Sequence, residues 1–336
     1  MDLAPTPKDT LFRDGTAALY RFRRPEGAPA GGGLPLLLVP SMINRWYVLD
    51  LRRGASLSDA LVRAGIDTFC LDWGTPEDED RYLAWDDVLA RLARMVRAVR
   101  RETGAPKVGI LGYCMGATLS TVYSALEPDS VAALANLAGP IDFSKAGFLG
   151  DMTDARYFDA AAIAAAGNMK AELMQSGFTA LRPTTPIAKW VGFLDRCHDP
   201  KARESFEALE TWSGDNIPFP GAAYATYIGD LYQKNALVKG EHYVRGRKAD
   251  LKNIHCPVLT IVADRDAICP PAAAQGLNDN VSSTDKEVLT VSGGHVGAVV
   301  GGKASKVLYP AVAAWFDKRL RAGAASRTAV EQVAQA

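Results

Sequence analysis

The sequence predicts an α/β protein: a doubly wound, mostly parallel sheet carrying an inserted, mainly helical cap. Three observations carry that expectation. Short apolar runs alternate with amphipathic helical stretches through the first 140 residues, the pattern of parallel strands joined by crossover helices. One run, Val108–Leu111, passes through Gly112-Tyr113-Cys114-Met115-Gly116 into a helical stretch that stops before Pro128. That is the strand–turn–helix grammar of a nucleophile elbow, with cysteine in the usual serine position. The alternation then lapses from Ile141 to about His255 and resumes at Cys256. The expected division is therefore a core from residues 1–140 and 256–321, a cap from 141–255, and a loose Ala-, Gly- and Gln-rich tail from 322–336.

In chain order, Ala17–Phe22 reads as a short strand and residues 25–33, rich in Pro and Gly, as a turn or linker. Leu34–Val39 is a buried strand that leaves into Pro40-Ser-Met-Ile-Asn-Arg-Trp-Tyr-Val-Leu-Asp50. Ser56 with Asp59 makes a capping box, Leu57, Ala60, Leu61 and Ala64 form the apolar stripe of the helix behind it, and Gly65 stops it. Thr68–Leu71 is the next strand. Glu77–Asp80 is read as a solvated acidic loop rather than a metal site. Residues 84–103 form an amphipathic helix with Val88, Leu89, Leu92, Met95, Val96 and Val99 on one face. Asp86 and Asp87 sit at its positive end and Arg97, Arg100 and Arg101 at its negative end. Its arginine face, with Arg91, Arg94, Arg97 and Arg101, is read as solvated. Val131–Leu137, Cys256–Val262 and Lys286–Val291 are further strands, and a final helix holds Val312, Trp315, Phe316 and Leu320.

Composition narrows the function. The 336 residues suit about two domains, or one large α/β domain carrying an insertion. Thirty-eight basic and 38 acidic residues balance, so nothing points to a nucleic-acid partner. No apolar run approaches the ~20 residues of a membrane span. The first residues lack the basic and apolar regions of a signal peptide. Five cysteines without paired spacing suit a reducing compartment, so the expected location is the cytoplasm. No cofactor and no metal are expected: Cys197-His198 and His255-Cys256 lack the pairing of a zinc site.

An elbow cysteine needs a base and an orienting acid, which in this fold class follow it in the order acid, histidine. Of four histidines, His295 lies in the glycine-rich loop Val291-Ser-Gly-Gly-His-Val-Gly297 directly after the last strand. His198, His242 and His255 sit in or at the cap and are read as surface or satisfied core residues. The acid belongs on Ala263-Asp264-Arg265-Asp266-Ala267-Ile268-Cys269-Pro270. Asp266, further past the strand end, is favoured over Asp264, which suits pairing with Arg265 or capping the turn. The backbone N–H of Met115 points where an oxyanion forms. A second donor is expected from Met42 or Ile43. A thiol nucleophile suits a thioester donor such as acyl-CoA, because exchange between thiols is nearly thermoneutral. Cys70 is read as core and Cys269 as packing behind the site. Trp190, Phe193, Trp212, Phe219, Tyr224, Tyr227 and Tyr232 of the cap either exclude water or are plain core.

From about Leu36 to Leu320 the chain resembles the polyhydroxyalkanoate synthases of the PhaC type, the short class III and IV catalytic subunits. The resemblance rests on residues 40–51, Leu-Asp-Trp-Gly (71–74), Asp-Arg-Tyr-Leu (80–83), the elbow at 112–116, Tyr-Gln-Lys-Asn-Ala-Leu-Val-Lys-Gly (232–240), residues 246–254 and Gly-Gly-His-Val-Gly (293–297). It implies an α/β-hydrolase fold and a triad at Cys114, Asp266 and His295. It also implies polymerisation of (R)-3-hydroxyacyl-CoA, of short chain such as 3-hydroxybutyryl-CoA, with release of CoA and a polyester product. It further implies a homodimer through the cap, a second synthase subunit of the PhaE or PhaR kind, and residence at polyester granules. Two positions depart from the family pattern. Ala117 stands where the box usually has a second glycine, and Ala267 follows Asp266 where histidine is common. The alternatives are a hydrolase with the same triad (thioesterase, polyester depolymerase or dienelactone-hydrolase-like) and an inactive granule-associated scaffold.

Overall fold

The computed structural model describes residues 2–181, 183 and 185–334. The chain opens with an antiparallel hairpin of β1 (Lys8–Asp14) and β2 (Ala17–Phe22). The strand β3 (Leu36–Val39) follows, then a small ladder of β4 (Asp50–Arg52) and β5 (Ala55–Ser56). Next come α1 (Leu57–Arg63), β6 (Thr68–Asp72), α2 (Trp85–Thr103), β7 (Val108–Tyr113), α3 (Met115–Leu126) and β8 (Val131–Leu137). Between β8 and the next long strand lie α4 (Phe148–Met152), α5 (Ala160–Ala165), α6 (Ala171–Ala180), α7 (Thr185–Leu194), α8 (Pro200–Gly214) and α9 (Gly221–Thr226). The last of these runs on into a π-helical turn, Tyr227–Gln233, followed by α10 (Ala236–Lys239) and a two-stranded hairpin, β9 (Tyr243–Val244) and β10 (Arg247–Lys248). The chain closes with β11 (Val258–Ala263), α11 (Pro271–Asn280), β12 (Lys286–Val291), α12 (Gly297–Val300) and α13 (Leu308–Ala334).

Eight of these strands form one sheet in the order β1-β2-β6-β3-β7-β8-β11-β12. Pairing is antiparallel from β1 through β2 to β6 and parallel across the rest. Parallel strands covered by helices on both faces need apolar residues at every position, and β3 and β7 are buried throughout. Successive residues of β3 take opposite sides. Leu37 and Val39 join the core containing Val88, Leu92 and Leu119, whereas Leu36 and Leu38 join Leu57, Leu61, Phe316 and Leu320. Thus α2 and α3 cover one face, and α1 and α13 the other.

Several sequence expectations need adjustment. The hairpin strand β1 was not read from the sequence. Its Lys-Asp-Thr-Leu-Phe-Arg-Asp is mostly polar because it is an exposed edge strand, kinked by a register shift between Thr10 and Phe12. Ser56 caps α1 by accepting from the Asp59 N–H (2.8 Å), but the Asp59 carboxylate binds Arg63 instead of closing the box. Arg91 is not on a solvated face. It is buried beside Asp14, which also pairs with Arg94 at 2.6 Å. Where a loose tail was expected, α13 continues as helix to Ala334, and residues 335 and 336 lie outside the described residues. His242 is wholly buried and accepts a hydrogen bond from Trp85 Nε1 (3.1 Å). Among the described residues no helix is long and apolar enough to cross a membrane.

Candidate active site

The elbow forms where β7 turns into α3. Cys114 has φ 55° and ψ −129°, a conformation that costs a side-chain-bearing residue of order 1–3 kcal/mol and persists only where the surroundings enforce it. Here they do. The Cys114 N–H donates to Leu137 O (2.9 Å), extending the β7–β8 ladder into the turn. A Cβ on Gly116 would fall 2.0 Å from Val39 O, and one on Gly112 would fall 2.3 Å from the Ala117 Cα. These two glycines let the helix start tuck under the ends of β3 and β7, which brings the loop after β3 beside the thiol. The methyl of Ala117 faces Gly139, whose own Cβ would lie 2.3 Å from it. The departure at 117 is therefore absorbed at the end of β8, and Ala117 does not line the cavity over Cys114.

The structure brings His295 and Asp266 together. His295 Nδ1 and Asp266 Oδ2 are 2.6 Å apart, and both side chains are buried. Asp266 Oδ1 accepts the N–H groups of Ile268 and Cys269, each at 2.9 Å, so the carboxylate is aimed by its own loop. The Tyr113 ring stacks on the imidazole, with centroids 5.4 Å apart and planes at 27°. Asp264 instead accepts from Gly293 N (2.8 Å) and Arg265 Nε (3.4 Å), tying the acid loop to the histidine loop.

The electrostatics of the pair have a clear direction. Burial opposes a charge on His295, but the Cys114 sulfur and the Asp266 carboxylate both favour the protonated ring, and together they hold its pKa above the usual histidine range. The second ring nitrogen, Nε2, is buried and has no hydrogen-bond partner of ordinary geometry among the described residues. Cys114 favours the protonated ring both by its charge and by a hydrogen bond to the imidazole, so the pair is placed for proton exchange. Burial pushes the Cys269 thiol up. Cys269 packs with Val262, Ala273 and Ala274 behind the site.

Above Cys114 lies a cavity of about 370 Å³, lined by Ile43, Met115 and residues of the 141–255 segment. Its walls include Met152, Met169, Met174, Phe178, Phe219, Tyr224, Tyr227 and Tyr232. The Tyr227 and Tyr232 rings lie 5.5 Å apart, and burial raises both phenols, which stay protonated at neutral pH. The other aromatics singled out in the sequence lie elsewhere. Trp190 and Phe193 pack with Phe206 on the outer helices, and Trp212 donates to Arg45 O at 3.0 Å. A second cavity of about 420 Å³ reaches His295 from the far side of Phe178 and Ile268, and Ala267 lines it.

Of the candidate oxyanion donors, Met115 and Ile43 line the cavity, while Met42 is buried in the core. Of the cavity residues, Met152, Met169, Met174, Phe178 and Ile268 carry no signal in the sequence. They come from short helices and loops with no periodic signal. Among the described residues no group of three or more His, Cys, Asp or Glu side chains could hold a metal ion.

Comparisons with known proteins give the family and the fold. Residues 35–301 match the alpha/beta hydrolase fold family. The poly(3-hydroxyalkanoate) polymerase subunit PhaC of Allochromatium vinosum is 35% identical over 321 residues, covering 95% of this chain and 90% of that protein. The PhaC subunit of a Synechocystis species is 32% identical over 323 residues, covering 94% and 85%. A soluble variant of monoglyceride lipase from Saccharomyces cerevisiae superimposes with a TM-score of 0.57 at 16% identity, covering 94% of this chain and 96% of the lipase. That likeness is one of fold. The chain belongs to the poly(3-hydroxyalkanoate) polymerase family of the PhaC type, within the α/β-hydrolase superfamily.

Proposed function

We propose that the protein is a polyhydroxyalkanoate synthase that polymerises (R)-3-hydroxyacyl units from their CoA thioesters through an acyl-cysteine at Cys114. The observation that carries this reading is the buried Nε2, facing the thiol, of an imidazole whose other nitrogen is fixed on Asp266 at 2.6 Å, beside a cysteine held on a strained elbow.

His295 takes the thiol proton, and the sulfur attacks the thioester carbonyl. The oxyanion is met by the N–H of Met115 and by that of Met42 or Ile43. Collapse breaks the carbon–sulfur bond to CoA, and the imidazolium returns its proton to the leaving thiolate. The 3-hydroxyl of the next acyl-CoA then attacks the acyl-cysteine while His295 accepts its proton. This forms an ester bond and frees the Cys114 thiol. The lengthened acyl-CoA reacylates the sulfur, and a second CoA departs. Asp266 keeps Nδ1 protonated throughout, so that Nε2 is the basic nitrogen. The apolar walls of the cavity favour a hydroxyl carried on an acyl chain over water as the attacking group.

The test uses the purified full chain with (R)-3-hydroxybutyryl-CoA. The expected result is CoA release, insoluble polyester and a 3-hydroxybutyryl mass on the Cys114 peptide, all absent in Cys114→Ala. An adduct accompanied by free hydroxy acid alone would favour a thioesterase. CoA release without any adduct would overturn the covalent mechanism.

A further inference from the structure

The loop after β3 has a grip on it that comes from the inserted segment. Asn44 pairs with Asn216 as an isolated antiparallel bridge, and its Nδ2 donates to Asn216 Oδ1 (2.6 Å). Ile217 N donates to Ile43 O (3.3 Å) and Trp212 Nε1 to Arg45 O (3.0 Å). At the centre stands Asp215. One carboxylate oxygen accepts from Arg45 Nε and the other from the Tyr47 hydroxyl, each at 2.8 Å. Arg45 also reaches Thr75 Oγ1 (2.8 Å) on the loop that leaves β6.

The same segment reaches the cavity two residues beyond Ile217. Phe219 exchanges backbone hydrogen bonds with Met169 (2.8 and 2.9 Å), and both side chains line the cavity over Cys114. One stretch of chain therefore touches the space for the acyl chain at Phe219 and holds, at Asp215, the loop whose Ile43 borders the thiol. A carbonyl oxygen is stabilised only if its donors are already aimed, and a misplacement of ~1 Å costs on the order of a hundredfold in rate. The Arg45–Asp215 pair is partly exposed, so as an ion pair it adds little to stability. Its geometric effect on the loop is the larger one.

We propose that Asp215 is a positioning residue for acyl transfer: it holds the Ile43–Tyr47 loop so that its backbone donor faces the carbonyl oxygen at Cys114. This rests on the reading of Cys114 as nucleophile and deepens it. It makes a specific demand. Acylation of the sulfur needs the aimed donor, whereas alkylation by iodoacetamide, which has no oxyanion, does not.

The experiment compares wild type, Asp215→Asn and Asp215→Ala in the full chain, with Tyr47→Phe as a milder variant that keeps the ion pair. Two readouts are followed: the rate of Cys114 alkylation by iodoacetamide, and kcat and KM for CoA release from (R)-3-hydroxybutyryl-CoA. Asp215→Ala is expected to lower kcat about ten- to a hundredfold, with KM and the alkylation rate each within about threefold of wild type. Asp215→Asn and Tyr47→Phe should fall between. Equal loss of alkylation and acylation overturns the proposal, because Asp215 then holds the fold or the thiol. Unchanged kcat in Asp215→Ala, or in Tyr47→Phe should the alanine variant not fold, also overturns it. Wild-type CoA release with no adduct at Cys114 overturns the nucleophile reading and this proposal with it. A wild-type adduct with unchanged variant kinetics overturns this proposal alone.

Discussion

Replacing Asp266 by asparagine separates what the carboxylate does by charge from what it does by shape. The amide oxygen can still accept from the Ile268 and Cys269 N–H groups, which lie at 2.9 Å in the wild type, so the loop keeps its form. The amide nitrogen then faces His295 Nδ1, where a carboxylate oxygen stood at 2.6 Å. An N–H there donates to Nδ1 and forces the ring proton onto Nε2, the nitrogen that must receive the proton from sulfur. The charge is lost as well. A neighbouring opposite charge favours an ionised group by about 1–3 pH units, or roughly 1.4–4 kcal/mol. In the wild type His295 is held protonated above its usual range. The sign follows: without Asp266 the ring gives up its proton at lower pH. The titration of the His295 ring should therefore shift to lower pH by about 1–3 units. CoA release, which needs the ring in both proton transfers, should fall about a thousandfold or more. An NMR titration of the imidazole and a thiol-dye assay of CoA measure the two, with thermal melting as the fold control. A folded variant whose imidazole titration overlays that of wild type, with CoA release within tenfold, would refute the assignment.

Two further substitutions probe the walls of the site. A Cβ at Gly177, which lines the cavity, meets nothing within 4 Å. Gly177→Leu is therefore expected to fold normally and to shorten the space, lowering kcat/KM for longer acyl-CoA substrates relative to 3-hydroxybutyryl-CoA by about 1–3 kcal/mol per methylene refused. Equal rates across a chain-length series would count against that placement. Ala117→Gly restores the common family box, but the methyl faces Gly139 rather than the cavity. The expected outcome is a loss of about 1 kcal/mol in stability by denaturant titration with kcat/KM within about twofold, whereas a large gain in activity would mean that the methyl does crowd the reaction.

Much of the site could be read from the chain because its signals are local. The elbow is five consecutive residues whose glycines answer to contacts at Val39 and Ala117. The acid and histidine follow strand ends, where chain order alone narrows the choice. Asp264 and Asp266 were separable for the same reason: the first meets Gly293 across the two loops, and the second lies far enough on to reach the ring. What stayed hidden depends on contacts remote in sequence. Asp215 meets Arg45 and Tyr47 from about 170 positions away, and nothing near Asp215 announces it. Arg91 looks like a surface arginine until β1 supplies Asp14. β1 itself is polar because only one edge of the sheet asks anything of it. The short helices between β8 and β11 lack the length over which a 3.6-residue period becomes visible.

The wide turn at Tyr227–Gln233 has a consequence for how this enzyme family could vary its walls. Side chains five positions apart point about 140° away from each other on an ordinary α-helix, yet Tyr227 and Tyr232 both border the same cavity. The i to i+5 bonding brings them onto one side. Tightening this stretch to an ordinary α-helix at unchanged length would turn Tyr232 out of the enclosure, whereas removing one residue between the tyrosines would leave them about 40° apart on the same wall. At this wall, the match between hydrogen-bond register and tyrosine spacing governs the shape of the chamber as strongly as the choice of side chains does.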